Sequence, residues 1–174
     1  SISYPLMGSY WFITPKITYS LTHYNDIKHA RAEIDKSSTR SLPIYSLDTG
    51  LIFERNSTVF GRETEQTLEP RLFYAYIPYR NQRHMPNFDS SSADLNFAEL
   101  FTPNKYTGFD RIANTNQLSA VLTTRYIDSG TGKEWFSATV GQRYYFTDEK
   151  VDLYWSNPGK TKNRSDVLAA SQFS

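Results

Sequence analysis

The sequence predicts an all-β protein, an antiparallel transmembrane β-barrel segment of about five to six strands of a larger barrel, with long extracellular loops. Three observations predict this fold class. Apolar and polar residues alternate with a period of two in segments long enough to cross a bilayer as tilted strands. Aromatic residues make up 16% of the 174 residues, although the mean hydropathy of -0.58 is that of a polar chain. Short and long connections alternate between the segments, as in outer-membrane barrels.

The first expected strand spans residues 10–24. Its odd positions carry Trp11, Ile13 and Ile17, and its even positions carry Lys16 and Thr18. Alternate residues of a strand point to opposite faces, so this segment has one apolar face and one polar face. An amphipathic helix would need apolar residues three and four positions apart, and the segment lacks that spacing.

Further strands are expected near residues 44–56, 64–77, 115–127 and 134–146, with a last one near 167–174. The alternation divides each strand between an apolar face that would contact lipid and a polar face that would line the barrel lumen. The residues assigned to lipid are Leu68, Leu72, Leu118, Leu122, Phe136 and Val140. The charged residues assigned to the lumen are Glu69, Arg71, Arg125 and Arg143. Pro70 cannot donate a ladder hydrogen bond, so it predicts a bulge or a local break on the outward face.

The connections sort by length. Those between residues 56 and 64 and between 127 and 134 are short, whereas those at 25–43, 78–114 and 147–166 are long. Aromatic residues cluster near the strand ends, which is typical of the girdles at the two membrane interfaces. Since the smallest barrels have about eight strands, we expect the chain to be an internal fragment whose flanking strands belong to the same protein.

Composition excludes several other functions. Lysine and arginine total 19 against 18 aspartate and glutamate, and no basic stripe indicates nucleic acid binding. Cysteine is absent, which excludes disulfides and thiol catalysis within this chain. The histidines His23, His29 and His84 are isolated, and no nucleophile–base pair or metal-binding pattern is visible. We therefore expect no catalytic residues, no metal and no cofactor, and we predict that the protein is not an enzyme.

A set of linked motifs is more specific. They are a Leu-Glu-Pro-Arg strand at Leu68–Arg71, an aromatic-proline end at Tyr76–Arg80, a Phe-Asp-Ser-Ser element at Phe88–Ser91, a Gly-x-Asp-Arg-Ile element within Gly108–Gln117, and a Val-Gly-Gln strand at Val140–Phe146. In order and spacing they resemble the barrel domain of the LptD family of lipopolysaccharide-assembly proteins. The resemblance is clearest over residues 44–146.

The resemblance implies a function. Family members belong to the translocon that inserts lipopolysaccharide into the outer leaflet of the Gram-negative outer membrane. The implied partners are lipopolysaccharide, an LptE-like plug lipoprotein within the barrel, and the periplasmic bridge proteins, which the N-terminal domain missing from this chain would contact. The implied location is the bacterial cell outer membrane, as a multi-pass β-barrel. The fragment would be middle barrel wall with extracellular loops, without the lateral opening and without the family's cysteines.

Two interpretations of the lumen charges stay open. Glu69, Arg71, Arg125 and Arg143 could contact the plug or the sugar-phosphate part of the substrate, because the planar guanidinium group binds phosphate bidentately. Alternatively, they pair with each other across neighbouring strands, which we favour for any single residue. The long loop 78–114 likewise either folds into the barrel or packs on itself at the surface. Its apolar residues are Phe88, Leu95, Phe97, Leu100, Phe101 and Phe109.

Three other classes of protein make different predictions. A porin-like or substrate-specific channel would have the same wall but a water-filled lumen. A soluble β-sandwich would pack its apolar faces on each other. An outer-membrane phospholipase would need a serine–histidine pair on adjacent strand positions, and the sequence shows none.

Overall fold

The computed structural model describes residues 1–24, 38–59, 61–79, 91–92, 96–103, 106–107, 114–147 and 163–173. These residues form an all-β, antiparallel sheet protein, and this part of the predicted fold class is confirmed. The helical structure in the described part of the chain is a 3₁₀ turn at Glu99–Phe101. No described helix is long and apolar enough to span a membrane.

The strands, in chain order, are β1 (Ile2–Ser3), β2 (Leu6–Met7), β3 (Trp11–Tyr24), β4 (Ser38–Leu51), β5 (Phe53–Val59), β6 (Arg62–Ile77), β7 (Ser91–Ser92), β8 (Tyr106–Thr107), β9 (Thr115–Asp128), β10 (Glu134–Tyr145) and β11 (Leu168–Phe173). The long strands overlap the segments in which the sequence alternates, but β4 begins at Ser38, within the expected loop 25–43. Strands β7 and β8 pair with each other, apart from the main sheet, among the residues that the structure describes.

The main sheet has the order β1-β3-β4-β6-β9-β10-β11, and all its pairs are antiparallel. Strand β2 also pairs with β3, and β5 pairs with β6. Within the described residues, the sheet is open between β1 and β11. The prediction of about five to six strands missed the edge strands β1 and β2. They contain two residues each and flank Pro5, so they are too short to show an alternation.

Segment 44–56, expected as one strand, is interrupted at Ile52 between β4 and β5. The register is the same on both sides, with Gly50 opposite Arg71 and Phe53 opposite Leu68. Proline lacks the N–H group that a ladder needs, and Pro70 lies opposite the interruption. The structure therefore has a local break and no bulge at this position.

The connections sort to opposite ends of the sheet. Residues 8–10, 60–61 and 129–133 join strands at one end, here called the short-connection end. Residues 25–37, 78–114 and 146–167 join strands at the other, the long-connection end. At the short-connection end, Asp128 accepts hydrogen bonds from the Gly130 and Thr131 amides at 3.0 and 2.8 Å. The positive φ of Gly132 lets the chain reverse there.

The register gives each face of the sheet a distinct character. One face, here called the apolar face, carries exposed large side chains from every long strand, including Ile17, Leu47, Leu72, Leu122 and Val140. The opposite face, called the covered face, carries the buried residues Phe73, Ala75, Val121, Gln117, Ser119 and Arg143. Directly paired residues share a face, so the pairs Pro70–Leu122 and Leu122–Val140 connect the apolar face across three strands.

Aromatic residues gather at both ends of the apolar face. Near the short-connection end, Tyr126, Trp135, Phe136 and Phe173 form a chain of ring contacts with centroids 4.7–6.2 Å apart. The register shift between Glu134 and Phe136 inserts Trp135 into this group. Near the long-connection end, the ring centroids of Tyr45 and Tyr76 are 6.3 Å apart. The apolar face is therefore bounded by aromatic rings at both ends.

Candidate functional site

The covered face binds a piece of the long connection between β6 and β9. This piece, residues 96–103, is here called the docked segment. Asn96 shapes it locally, because its Oδ1 accepts the Glu99 N–H at 3.0 Å and its carbonyl accepts the Leu100 N–H at 3.2 Å. The Thr102 hydroxyl closes the turn by donating to the Glu99 carbonyl at 2.9 Å. The segment is thus a compact 3₁₀ turn that presents Leu100 and Phe101 to the sheet.

Leu100 packs in the space left by the missing side chain of Gly141, here called the Leu100 seat. It is completely buried, and its Cδ1 would lie 2.7 Å from a Cβ atom added at Gly141. The same added atom would lie 3.0 Å from Cγ2 of Val121, which lines the seat on β9. A side chain at position 141 would therefore displace Leu100, so glycine permits the close approach of the docked segment to β10.

Phe101 packs between an aromatic ring and a cation. Its ring makes an edge contact with Phe73, with centroids 6.2 Å apart and planes at 81°. The Arg71 guanidinium lies 3.8 Å from the Phe101 ring centroid, close enough for a cation–π interaction. Arg71 is itself oriented by Asp48 through two hydrogen bonds of 2.8 and 2.6 Å. The Asp48–Arg71 pair therefore holds a flat cationic surface against Phe101.

Arg143, on β10, binds backbone carbonyls of the docked segment from the sheet side. The residue is only 2% exposed, and its Nη2 donates to the Glu99 carbonyl and, at 3.5 Å, to the Thr102 carbonyl. Its Nε donates to Ser119 Oγ at 3.2 Å, which fixes the plane of the guanidinium. Gln117 adds a hydrogen bond of 3.1 Å to the Thr102 carbonyl. The last turn of the segment therefore has its carbonyls satisfied by side chains of β9 and β10.

Closer to the short-connection end, the covered face carries an exposed ion-pair network. Arg125 Nε lies 3.0 Å from Glu69 Oε1, and Arg125 Nη1 lies 3.2 Å from Glu134 Oε2. The Thr67 hydroxyl donates to the same Glu69 oxygen at 2.8 Å. The network joins β6, β9 and β10 across the strands.

The structure thus separates the four predicted lumen charges into two groups. Arg71 and Arg143 hold the docked segment, whereas Glu69 and Arg125 pair with each other. Sequence reasoning missed Asp48, Phe73, Gln117, Ser119 and Gly141. Each falls on the polar phase of its strand, which is the only sequence signal that could have found them. Phe88, Leu95 and Phe109 lie outside the described residues.

The six residues predicted to face lipid all lie on the apolar face, opposite Arg71 and Arg143. Leu68, Leu72, Leu122 and Val140 are exposed, and Leu118 and Phe136 are half-buried. Within the described part of the chain, no group of histidine, aspartate and glutamate side chains could hold a metal ion.

The fold and the site define a class of protein, namely an antiparallel β-sheet protein that leaves a continuous apolar face uncovered and binds its own long connection on the polar face. The sequence model of one family, described as "LptD: LPS transport system D", matches residues 1–174. The chain belongs to this family, and the resemblance predicted from its motifs is confirmed.

Individual relatives agree with this membership. The LPS-assembly protein LptD of Aromatoleum aromaticum is 48% identical over 169 residues, which are 97% of this chain and 21% of that protein. The LPS-assembly proteins LptD of Ralstonia nicotianae and Paraburkholderia xenovorans are 44% and 43% identical over 98% of this chain and 22% of their own lengths. The chain spans about a fifth of the length of these curated relatives.

We expect Gly141→Ala to loosen the docked segment, because the new Cβ atom would overlap Leu100. Hydrogen exchange of residues 96–103 in the full-length protein should become faster. Leu100→Ala removes the overlapping atoms at a cost of about 2–5 kcal/mol for the lost burial. The double variant Gly141→Ala with Leu100→Ala should therefore be no worse than Leu100→Ala alone. Additive effects of the two substitutions on hydrogen exchange would contradict a direct contact between Leu100 and position 141.

We also expect Arg143 and Arg125, two arginines of the covered face, to differ in their effect on the docked segment. Arg143→Ala removes a buried charged donor from the Glu99 and Thr102 carbonyls, which keep the Thr102 hydroxyl and Gln117 as their other donors. A hydrogen bond to a charged group contributes about 1.5–3 kcal/mol, so exchange in residues 96–103 should rise about tenfold or more. Arg125→Ala removes an exposed pair and should change stability by less than about 1 kcal/mol. Equal effects of the two variants on exchange would show that Arg143 does not anchor the segment.

Proposed function

We propose that the chain is a piece of the wall of a transmembrane β-barrel in the bacterial outer membrane. The full protein would insert lipopolysaccharide into the outer leaflet. The observation that carries the proposal is the division of the sheet into an uncovered apolar face and a polar face packed by the chain's own loop. A soluble β-sandwich does the opposite, because it buries its apolar faces against each other. Here Leu72 and Val140 remain 43% exposed, within a large continuous apolar surface.

The height of the apolar face supports a membrane-spanning wall. From the row of Gln66 and Tyr126 to the row of Tyr76 the strand advances ten residues. Ten residues span about 33 Å along a strand, which a tilt of about 40° reduces to about 25 Å across the bilayer. This matches the apolar band of outer-membrane barrels. The aromatic groups at both ends of the face would then lie at the two interfaces.

The sorted connections support an orientation. Outer-membrane barrels have short turns on the periplasmic side and long loops outside the cell. The short-connection end would therefore face the periplasm. The docked segment, which lies nearer the long-connection end, would narrow the barrel from the extracellular side. The remaining strands of the barrel would come from other parts of a protein as long as the curated relatives.

The covered face favours a plugged barrel over an open channel. The docked segment covers a surface that water would line in a porin-like wall, and it buries Leu100 there. Arg71 and Arg143 hold the docked segment in place. We propose that an LptE-like plug lipoprotein packs beside this segment and that periplasmic bridge proteins deliver lipopolysaccharide to another part of the full protein. This chain would contribute shape and binding surface rather than catalysis, in keeping with a family described as a transport system.

The membrane-wall part of the proposal predicts opposite outcomes for neighbouring residues. Leu122→Arg would place a charge on the lipid-facing surface, at a cost of about 2–4 kcal/mol near the bilayer midplane. Thr123→Arg would place the same charge on the covered face, opposite Glu69. The amount of folded full-length protein in isolated outer membranes should fall for the first variant and not for the second. A loss confined to Thr123→Arg would reverse the assignment of the faces.

The transport part is tested in the host bacterium. Depletion of the full-length protein should lower the amount of newly made lipopolysaccharide at the cell surface, measured by surface labelling. Unrelated outer-membrane barrels should still assemble and serve as the control. Unchanged surface lipopolysaccharide after depletion would reject the transport function and leave the channel alternative, which conductance measurements on the purified protein would examine.

A further inference from the structure

The apolar face carries a groove of about 430 Å³ near the short-connection end. Small side chains on three adjacent strands form its floor, namely Thr124, Ala138, Ala169 and Ser171. The larger Leu68, Leu122 and Val140 border it. The volume lies within the range of about 300–1,000 Å³ that is usual for ligand sites. The groove exists because short side chains fall at paired positions on β9, β10 and β11, where the surrounding rows carry leucine, valine and aromatic residues.

Aromatic rings lie beside one end of the groove. Tyr126, Phe136 and Phe173 lie one row further toward the short-connection end. The lining residues of each strand are two positions apart, at Leu122–Thr124, Ala138–Val140 and Ala169–Ser171, so the opening is about 7 Å long along the strands. Between β9 and β11 it is about 10 Å wide, which is two strand spacings. An opening of this size fits a stretch of a single acyl chain better than a folded protein segment.

A cationic group lies in the same row as Tyr126, two strands away on β5. Arg55 is exposed on the apolar face, and its Nε donates to Gln66 Oε1 at 2.7 Å. Gln66 Nε2 in turn donates to the Tyr126 hydroxyl at 2.7 Å and to Thr124 Oγ1 at 3.4 Å. The hydrogen-bonded row therefore leads from Arg55 to the floor of the groove. Among the described residues, no carboxylate forms an ion pair with Arg55.

We propose that this groove and Arg55 bind one glycerophospholipid with an anionic headgroup. One acyl chain would lie over Ala138 and Ala169, and the phosphate would bind Arg55, whose unused guanidinium N–H groups suit its oxygens. The inference rests on the proposed function for the orientation of the wall in the bilayer. Since the short-connection end would face the periplasm, the lipid belongs to the periplasmic leaflet. Lipopolysaccharide, which lies in the opposite leaflet, does not reach this site.

The test uses full-length protein reconstituted into phosphatidylcholine bilayers containing a phosphatidylglycerol that carries a photoreactive acyl chain. After illumination, the crosslinked residues are mapped by mass spectrometry. We expect crosslinks to concentrate at residues 122–124, 138–140 and 169–171. The same experiment with a photoreactive lipid A probe should not label these residues.

Two kinds of variant separate the acyl chain from the phosphate. Ala138→Leu with Ala169→Leu fills the groove and should reduce labelling there several-fold. Ala120→Leu, which lies on the same face outside the groove, is the matched control. Arg55→Gln should weaken phosphatidylglycerol labelling by about tenfold through loss of a charge-assisted contact. Lys133→Gln removes a charge from the turn at the same end and should have no such effect.

The outcomes distinguish this inference from the proposal beneath it. Labelling spread evenly over the apolar face, unaffected by the groove-filling pair, would mean ordinary contact with bulk lipid and would overturn the site while supporting the membrane wall. Labelling by the lipid A probe instead would overturn the choice of lipid. Absence of acyl-chain labelling anywhere on the apolar face would overturn both the site and the wall.

Discussion

The antiparallel register from β4 to β11 is the constraint on which the rest of the structure depends. Side chains alternate faces with a period of two, so a shift of one residue in any strand would exchange its apolar and polar sets. In this register Leu72, Leu122 and Val140 share one face while Arg71, Ser119 and Arg143 share the other. Both the uncovered apolar surface and the seat of the docked segment follow from that single alignment.

Strand β10 shows how the two faces use small residues differently. On the covered face Gly141 brings the sheet backbone within contact of Leu100. On the apolar face Ala138 deepens a groove bordered by larger neighbours. In both places the absence of side-chain atoms creates the shape, but the occupant is the chain's own loop on one face and, in our proposal, a lipid on the other. The physical difference is that the loop carries backbone carbonyls, which accept hydrogen bonds from Arg143.

The charges of the covered face are mostly balanced within the chain. Asp48 orients Arg71, Glu69 and Glu134 surround Arg125, and backbone carbonyls occupy Arg143. A polar surface that satisfies its own charges is rigid rather than freely available to a phosphate. This arrangement agrees with the wall of a plugged barrel that we propose, and it leaves Arg55 on the other face as the cation proposed to bind an anionic lipid.

The sequence by itself determined the antiparallel β class, the face of each alternating residue and the family, because period-two alternation and motif order are local properties of the chain. It could not determine which residues meet. Asp48 and Arg71 are 23 positions apart, and Glu99 and Arg143 are 44 positions apart. It also left open whether loop 78–114 packs on itself or on the sheet. Only the tertiary structure decided these pairings and, for residues 96–103 of the loop, the packing on the sheet. Pairing across strands and the seat of Leu100 depend on the register that brings distant segments together.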